Sequence, residues 1–153
     1  METLNLRPAG MDDAKQLFDW RNDADSRAAA VITDEVEWDD HVLWLQRSLA
    51  RKDRLLFIGE ARRTDEAVGM VRLDQLAAQL WEISLVVCPS YRGRGWARKL
   101  LASGLNHCGR ADFVARIRPE SLRSRSLFEG LGFKLATTSD GLMLYRLSRR
   151  AAA

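Results

Sequence analysis

The chain has 153 residues, 46% of them hydrophobic and 29% charged, with 24 Lys and Arg against 21 Asp and Glu for a net charge of +3; that is enough apolar material for one domain, expected over residues 1–150, around one core. No apolar run approaches the roughly 18 residues of a membrane span and the N-terminus has no basic stretch followed by an apolar one, so no membrane partner and a cytoplasmic location are expected. The arginines are scattered without a basic block or interleaved aromatics, which argues against nucleic acid, and Cys88 and Cys108 have neither metal-site nor CxxC spacing, so reduced thiols and no metal are expected.

Taken in order, Leu4 and Leu6 before Pro8 suggest a short first strand, and Asp12 or Asp13 can cap a helix in which Ala14, Leu17 and Phe18 share a face. That helix carries Trp20-Arg21-Asn22. Residues 24–35 show no clear period and read as an irregular loop or a broken helix. Trp38, Val42, Leu45 and Leu49 then recur at helical spacing with His41 beside them, ending near the charged residues 51–54. Residues 55–61 and 67–73 flank a polar turn as a hairpin, and a loop over 75–79 leads to a central strand at 81–87. After the next helix, residues 113–117 alternate as a strand, 122–131 are helical, and 133–137 with 142–147 form a closing hairpin. No repeat or linker interrupts this order.

The centre of the chain is its most informative stretch. Ile83, Leu85, Val86 and Val87 form an apolar strand that Pro89 stops, and Arg92-Gly93-Arg94-Gly95 follows. Two residues without Cβ let the backbone approach a ligand closely. Ala97, Leu100, Leu101, Leu105 and Cys108 then mark a helix that starts at about Gly93 to Gly95. The free N–H groups of its first turn, its dipole, and Arg92, Arg94, Arg98 and Lys99 together suit a phosphate or pyrophosphate. No Gly-Lys-Ser/Thr follows, which sets a P-loop aside. The turn is not near the start of a βαβ chain with an acidic residue about 20 positions on, which sets a Rossmann site aside.

Arg92-x-x-Gly95-x-Ala97, between strand and helix, resembles the Arg/Gln-x-x-Gly-x-Gly/Ala signature of the GCN5-related N-acetyltransferases, and residues 124–133, SRSLFEGLGF, resemble the late helix-turn-strand of that family. The resemblance implies a single-domain α/β (α+β) fold, with a mixed, mostly antiparallel central sheet flanked by helices and splayed at strands 81–87 and 113–117. It implies acetyl-CoA as cofactor. The pantetheine would lie in the splay on the amides of Leu85, Val86 and Val87, which would also polarise the acetyl carbonyl. The pyrophosphate would rest on the amides of Arg92, Gly93, Arg94, Gly95, Trp96 and Ala97. Ser121 stands where relatives often place an Asn on the pantetheine side, and Ser124 is the substitute for that contact. Phe128 stands where many relatives place a Tyr that reprotonates the thiolate, leaving Tyr91 and Tyr145 as alternatives; a thiol of pKa about 8.5 is a tolerable leaving group without one.

Attack by an amine on a thioester needs the amine unprotonated. Glu82, on the central strand near where relatives often carry a carboxylate working through a water, is the leading base; the other reading is an ion-paired Glu in an alternating strand. His41 is the second candidate, with a packed helix-face histidine as its other reading. For the acceptor, Trp20-Arg21-Asn22 with His41, Trp44 and the Glu82-Ile83-Ser84 strand is similar to acetyltransferases of nucleotide-linked 4-amino sugars of the pseudaminic acid type. Arg21 or Arg27 would meet the diphosphate, and Trp38 or Trp44 the base. Trp20 as core and Arg21 paired with Asp19 or Asp25 are the structural readings. Protein N-terminal acetylation of the ribosomal-protein type and a non-catalytic acyl-CoA sensor are the alternatives. Relatives are monomers or homodimers.

Overall fold

The computed structural model describes residues 3–150, so Met1 and Glu2 of the expected domain lie outside the described residues. One seven-stranded sheet organises the chain. Its strands are β1 (Leu4–Pro8), β2 (Arg54–Ala61), β3 (Ala67–Ala77), β4 (Leu80–Val87), β5 (Asp112–Ile117), β6 (Lys134–Ser139) and β7 (Leu142–Ser148). They lie in the order β1-β2-β3-β4-β5-β7-β6. All neighbours are antiparallel except β4 and β5, whose connection through the helix at Trp96–Cys108 returns the chain to the end where β4 began.

The β3–β4 hairpin is longer and tighter than the spacing predicts. Its ladder runs through Gln75↔Trp81 and Ala77↔Leu80 with a bulge, where a loop over 75–79 is expected. Gln75, Leu76 and Ala77 have little strand propensity of their own; the ladder to β4 carries them. In residues 24–35 the broken-helix reading holds for a single short helix.

The helices are α1 (Ala14–Asn22), α2 (Ala24–Ala29), α3 (Trp38–Ala50), α4 (Trp96–Cys108) and α5 (Leu122–Gly130). α4 buries Leu100, Leu101 and Leu105 completely against Val71, Leu73, Ile83 and Phe113, and α5 adds Phe128 against Phe133. Each such leucine contributes about 1.5–3 kcal/mol of hydrophobic stabilisation. Gly104 lets α4 come close, since a Cβ there would stand 2.8 Å from Val71 Cγ1. On the other face α1 and α3 pack Ala14, Leu17, Trp20 and Leu45 on Leu56 and Ile58. Strand alternation divides β4 accordingly: Ile83 is buried towards α4, while Val86 packs towards α1 and α3, the face that Glu82 and Ser84 share with it.

Candidate active site

The functional geometry starts where β4 and β5 part. Their parallel pairing comprises Leu80↔Asp112, Trp81↔Phe113 and Glu82↔Val114, and nothing beyond. From Ile83 onward β4 keeps its partner β3, and β5 keeps β7 through Ile117↔Met143, so the two central strands run on with a fork between them. The facing edge of β4, residues 83–87, has main-chain groups that no strand takes up on that side. The expected splay at 81–87 and 113–117 is therefore present, opening after the third pair.

At the mouth of the fork the chain makes a short 3-10 turn at Pro89–Tyr91 and then residues 92–95. Gly93 (φ 75°) and Gly95 (φ 85°) both sit in the left-handed region that other residues enter only with strain, and Gly95 is the N-cap of α4. A Cβ at either would meet nothing within 4 Å, so the space before the turn is open. The first amides of α4 are without intrahelical partners by construction, and a 13-residue helix stands behind them. A pyrophosphate fits this turn on backbone grounds alone.

Side chains of the turn point to other tasks. Trp96 is 5% exposed and packs with Ala61 and Val68, with Lys99 Nζ 4.5 Å from its ring centre. Arg94 lies over Tyr91. Arg92 reaches away to α2, where Nη1 donates to Asp23 Oδ2 at 2.8 Å and Nη2 to Ser26 Oγ at 2.7 Å. Beyond β5, the Ser121 and Ser124 hydroxyls are hydrogen-bonded to each other at 2.9 Å. Phe128 packs edge-on against Phe133 with ring centres 5.0 Å apart. Tyr145, 1% exposed, donates to Glu129 Oε2 at 2.6 Å, and that carboxylate together with burial pushes the phenol up, so it holds its proton.

On the α1/α3 face the fork opens onto a charged floor. Glu82, the last β4 residue paired to β5, has its carboxylate bound by Arg116, which reaches back across the root of the fork with Nε 2.6 Å from Oε2. Directly across β3 stands Asp74, which binds Arg54 Nε at 2.6 Å and lies 3.2 Å from Arg72 Nε. That last approach is an ion pair by distance but is not aligned as a hydrogen bond, so Arg72 Nε is buried without a hydrogen-bond partner among the described residues. Burial holds the Arg72 guanidinium below the usual arginine range, Asp74 and Glu82 working against this and Arg54 and Arg21 with it, so these five groups share one field. Arg21 is lowered by burial as well. Its guanidinium lies 5.1 Å from the centre of the Trp44 ring. Trp44 is stacked on His41 at 5.8 Å.

His41 is completely buried, ringed by Phe18, Trp38 and Trp44. Nε2 is 2.9 Å from the Ala14 carbonyl oxygen and so carries the proton it donates there, leaving Nδ1 buried without a partner. Burial first, then the Arg21 charge, keep the imidazole below its usual range despite the Ala14 carbonyl. Trp20 is part of the core beneath it, 6% exposed. Both amide atoms of Asn22 are taken by the Val36 backbone at 2.9 and 2.8 Å. Of the expected acceptor residues, the structure thus brings Arg21 and Trp44 together with Glu82's neighbourhood, while Trp20 and Asn22 serve packing and loop anchorage. Arg72, Asp74 and Arg116 were not singled out from the sequence. Arg72 and Asp74, in a strand that is otherwise mostly apolar on both faces, were the available signal.

Cys108 is a half-buried thiol pushed up to about 11 by burial, and both cysteines are unpaired. Among the described residues no group of three or more His, Cys, Asp or Glu is placed to hold a metal, and no helix is long and apolar enough to cross a membrane.

The sheet forks between β4 and β5, with a glycine turn and the N-terminus of a long helix at one lip. The acetyltransferase (GNAT) domain model matches residues 3–134, and the chain belongs to that family, whose acyl donor is acetyl-CoA. An uncharacterized protein of Methanocaldococcus jannaschii is 28% identical over 134 residues, 84% of this chain; the chain spans about 28% of that relative's length. A crystal structure of a domain from the same organism superposes with a TM-score of 0.82 at 25% identity, covering 97% of this chain and 99% of that one. Spermidine N-acetyltransferase from Vibrio cholerae, solved with CoA and spermine, gives 0.84 at 15% identity, covering 96% of each chain. The Salmonella typhimurium protein yncA, solved with its cofactor acetyl-CoA, gives 0.77 at 21% identity over 99% and 96%.

Proposed function

We propose that the chain is an acetyl-CoA-dependent N-acetyltransferase whose acceptor is a primary amine on a molecule carrying negative charge, a UDP-linked 4-amino sugar being the acceptor that suits it best. The observation behind this reading is the charge of the floor: Arg54, Arg72 and Arg116 share the carboxylates of Asp74 and Glu82, and Arg21 lies over Trp44 beside them with no ion pair among the described residues. Two of these guanidiniums, Arg21 and Arg72, are lowered by desolvation, and Arg72 Nε has no hydrogen bond. A desolvated cation in surplus is costly unless something brings the missing negative charge. An anion on the substrate does so. A polycation of the spermine kind would add to the surplus.

The floor also has room. Beyond Arg54 and Trp44 a groove of about 420 Å³ runs along α3, lined by Arg47, Ser48 and Arg51 with Asp40 and Leu43, Arg51 being paired to Asp53 at 2.8 Å. Arg54 lies two strands from Glu82, about 10 Å at the usual strand spacing. That distance suits a phosphate separated from the reacting amine by a sugar ring.

When bound, acetyl-CoA supplies the thioester that the amine attacks directly in a ternary complex, forming the C–N bond as the C–S bond breaks, and the departing thiolate takes up the second proton that the nitrogen loses. Glu82 accepts the ammonium proton, through a water, at the root of the fork, and Arg116 holds its carboxylate in place. His41 is the weaker base on this geometry, because its donor nitrogen is committed to Ala14 and its other nitrogen is buried among aromatic rings. The residues 92–97 hold the phosphates and the edge of residues 85–87 holds the pantetheine and acetyl oxygen. Ser121 and Ser124 flank the β5 side of that arm.

The test is release of CoA with a UDP-linked 4-amino sugar, the bare amino sugar, an Ala-starting peptide and spermidine. Removing the nucleotide should lower kcat/KM by more than about 10², and Arg21→Ala should lose most of that advantage while barely changing the rate on the bare sugar. Equal rates with and without nucleotide, or a faster rate on the peptide, would move the acceptor to a protein N-terminus; no turnover of any amine would leave an acyl-CoA-binding protein.

A further inference from the structure

The signature arginine is expected to contribute charge to the phosphates, yet its guanidinium is already engaged elsewhere. Nη1 donates to Asp23 Oδ2 at 2.8 Å and stands 3.5 Å from Asp25 Oδ2, while Nη2 donates to Ser26 Oγ at 2.7 Å. The Asp23 oxygen that receives Arg92 also accepts the Ser26 amide at 3.1 Å, as the N-cap of α2. One carboxylate oxygen therefore joins the turn after β4 to the start of α2. Burial alone would raise the Asp23 carboxyl, but Arg92 and the Ser26 amide pull it below its usual range.

The other end of the same segment is held by the other lip. Arg118, the first residue after β5, donates through Nε to the Ala30 carbonyl and through Nη2 to the Val31 carbonyl. α2 itself buries no residue, so its six residues gain little from packing. Arg27 ties it locally to the Asn22 carbonyl, and the Arg92 and Arg118 ties join it to the sheet, one to each of the two strands that diverge at the fork. Taking Arg92 away to a phosphate would leave the half-buried Asp23 carboxylate without its cation and release the cap of α2 from the turn, whereas the turn amides can hold a pyrophosphate unaided.

We propose that Arg92 is a positioning residue rather than a phosphate ligand: with Arg118 it straps residues 23–31 across the ends of β4 and β5, so that the acceptor side of the site is fixed to the cofactor turn. The inference rests on the placement of the cofactor phosphates at residues 92–97. It does not depend on which amine is the acceptor.

The experiment compares wild type with Asp23→Asn, Arg92→Ala, Arg92→Lys and Arg118→Met. Acetyl-CoA affinity is measured by calorimetry, hydrogen exchange of the amides of residues 24–31 by mass spectrometry, and KM and kcat with the UDP-linked 4-amino sugar. Expected are exchange at least fivefold faster in Asp23→Asn, Arg92→Ala and Arg118→Met, partial return towards wild type in Arg92→Lys, and acetyl-CoA affinity within twofold throughout. The sugar's KM should rise at least fivefold with kcat within about threefold. If Arg92→Ala weakens acetyl-CoA tenfold while Asp23→Asn tightens it, Arg92 is a phosphate ligand and the proposal falls; unchanged exchange in the three variants overturns it as well. Asp23→Asn is nearly isosteric and keeps a capping oxygen, so it remains informative if a larger change fails to fold. A chain that does not acetylate the sugar would break the acceptor reading, and the exchange and calorimetry would still decide the strap.

Discussion

The proposed donor side of the fork is made of backbone, six consecutive residues at 92–97 whose two glycines adopt φ of 75° and 85° and whose amides start a long helix. The proposed acceptor side is made of side chains: Arg21 from α1, Trp44 from α3, Arg54 from β2, Arg72 and Asp74 from β3, Glu82 from β4 and Arg116 from β5. A backbone site tolerates change in its side chains but not in its dihedral angles. A side-chain site is the reverse, and its charge balance can be retuned one residue at a time. That difference explains how one fold serves one donor and many acceptors.

Three substitutions sharpen the contrast. Glu82→Gln keeps the shape of the floor and removes basicity, so kcat should fall by roughly 10² with acetyl-CoA affinity nearly unchanged. Arg116 is exposed enough to remain solvated without its partner, so the fold should persist. A loss below about threefold between pH 6 and 9 would make Glu82 a structural residue and bring His41 forward. Gly95→Val acts on the other side of the fork. A β-branched residue at φ 85° forces the turn out of its conformation, and acetyl-CoA affinity should fall at least tenfold, or about 1.4 kcal/mol. Unchanged calorimetric affinity in the folded variant would show that the amides of this turn do not hold the phosphates.

The smallest effect concerns stability. The buried His41 imidazole is held below its ordinary value while the unfolded chain protonates it near 6.5. Between those two values the unfolded state binds more protons, so stability falls as pH drops below about 6.5. The melting temperature should decrease from pH 7.5 to 5.5, and by less in His41→Gln. An equal decrease in both would mean that the imidazole titrates alike in the folded and unfolded chains.

Local pattern accounts for what was legible. The run from Ile83 to Val87, the stop at Pro89, the glycines and the spacing of Leu100, Leu101 and Leu105 each report on neighbours within a few residues, so strand, turn and helix could be read directly. α2 was legible only as a broken helix because it has no apolar face, and residues 75–77 read as loop because their strand character comes from pairing with β4. Trp20 and Trp44 are alike in sequence, yet one is core and the other half-exposed beneath Arg21.

By itself the sequence determined the strand, the glycine turn and the helix after it, since these follow from hydrogen-bonding capacity and periodicity along a contiguous stretch, while the family and the fork came through the resemblance that this stretch carries. Only the tertiary structure decided the charged floor proposed for the acceptor. Asp74 is eight residues from Glu82 in the chain and directly opposite it in the sheet, Arg116 reaches Glu82 from 34 residues away, and Arg92 is occupied by residues 66 to 69 positions earlier. Such pairings depend on strand register and on which face each side chain takes, and both are fixed by the burial of the whole core rather than by any local run of residues.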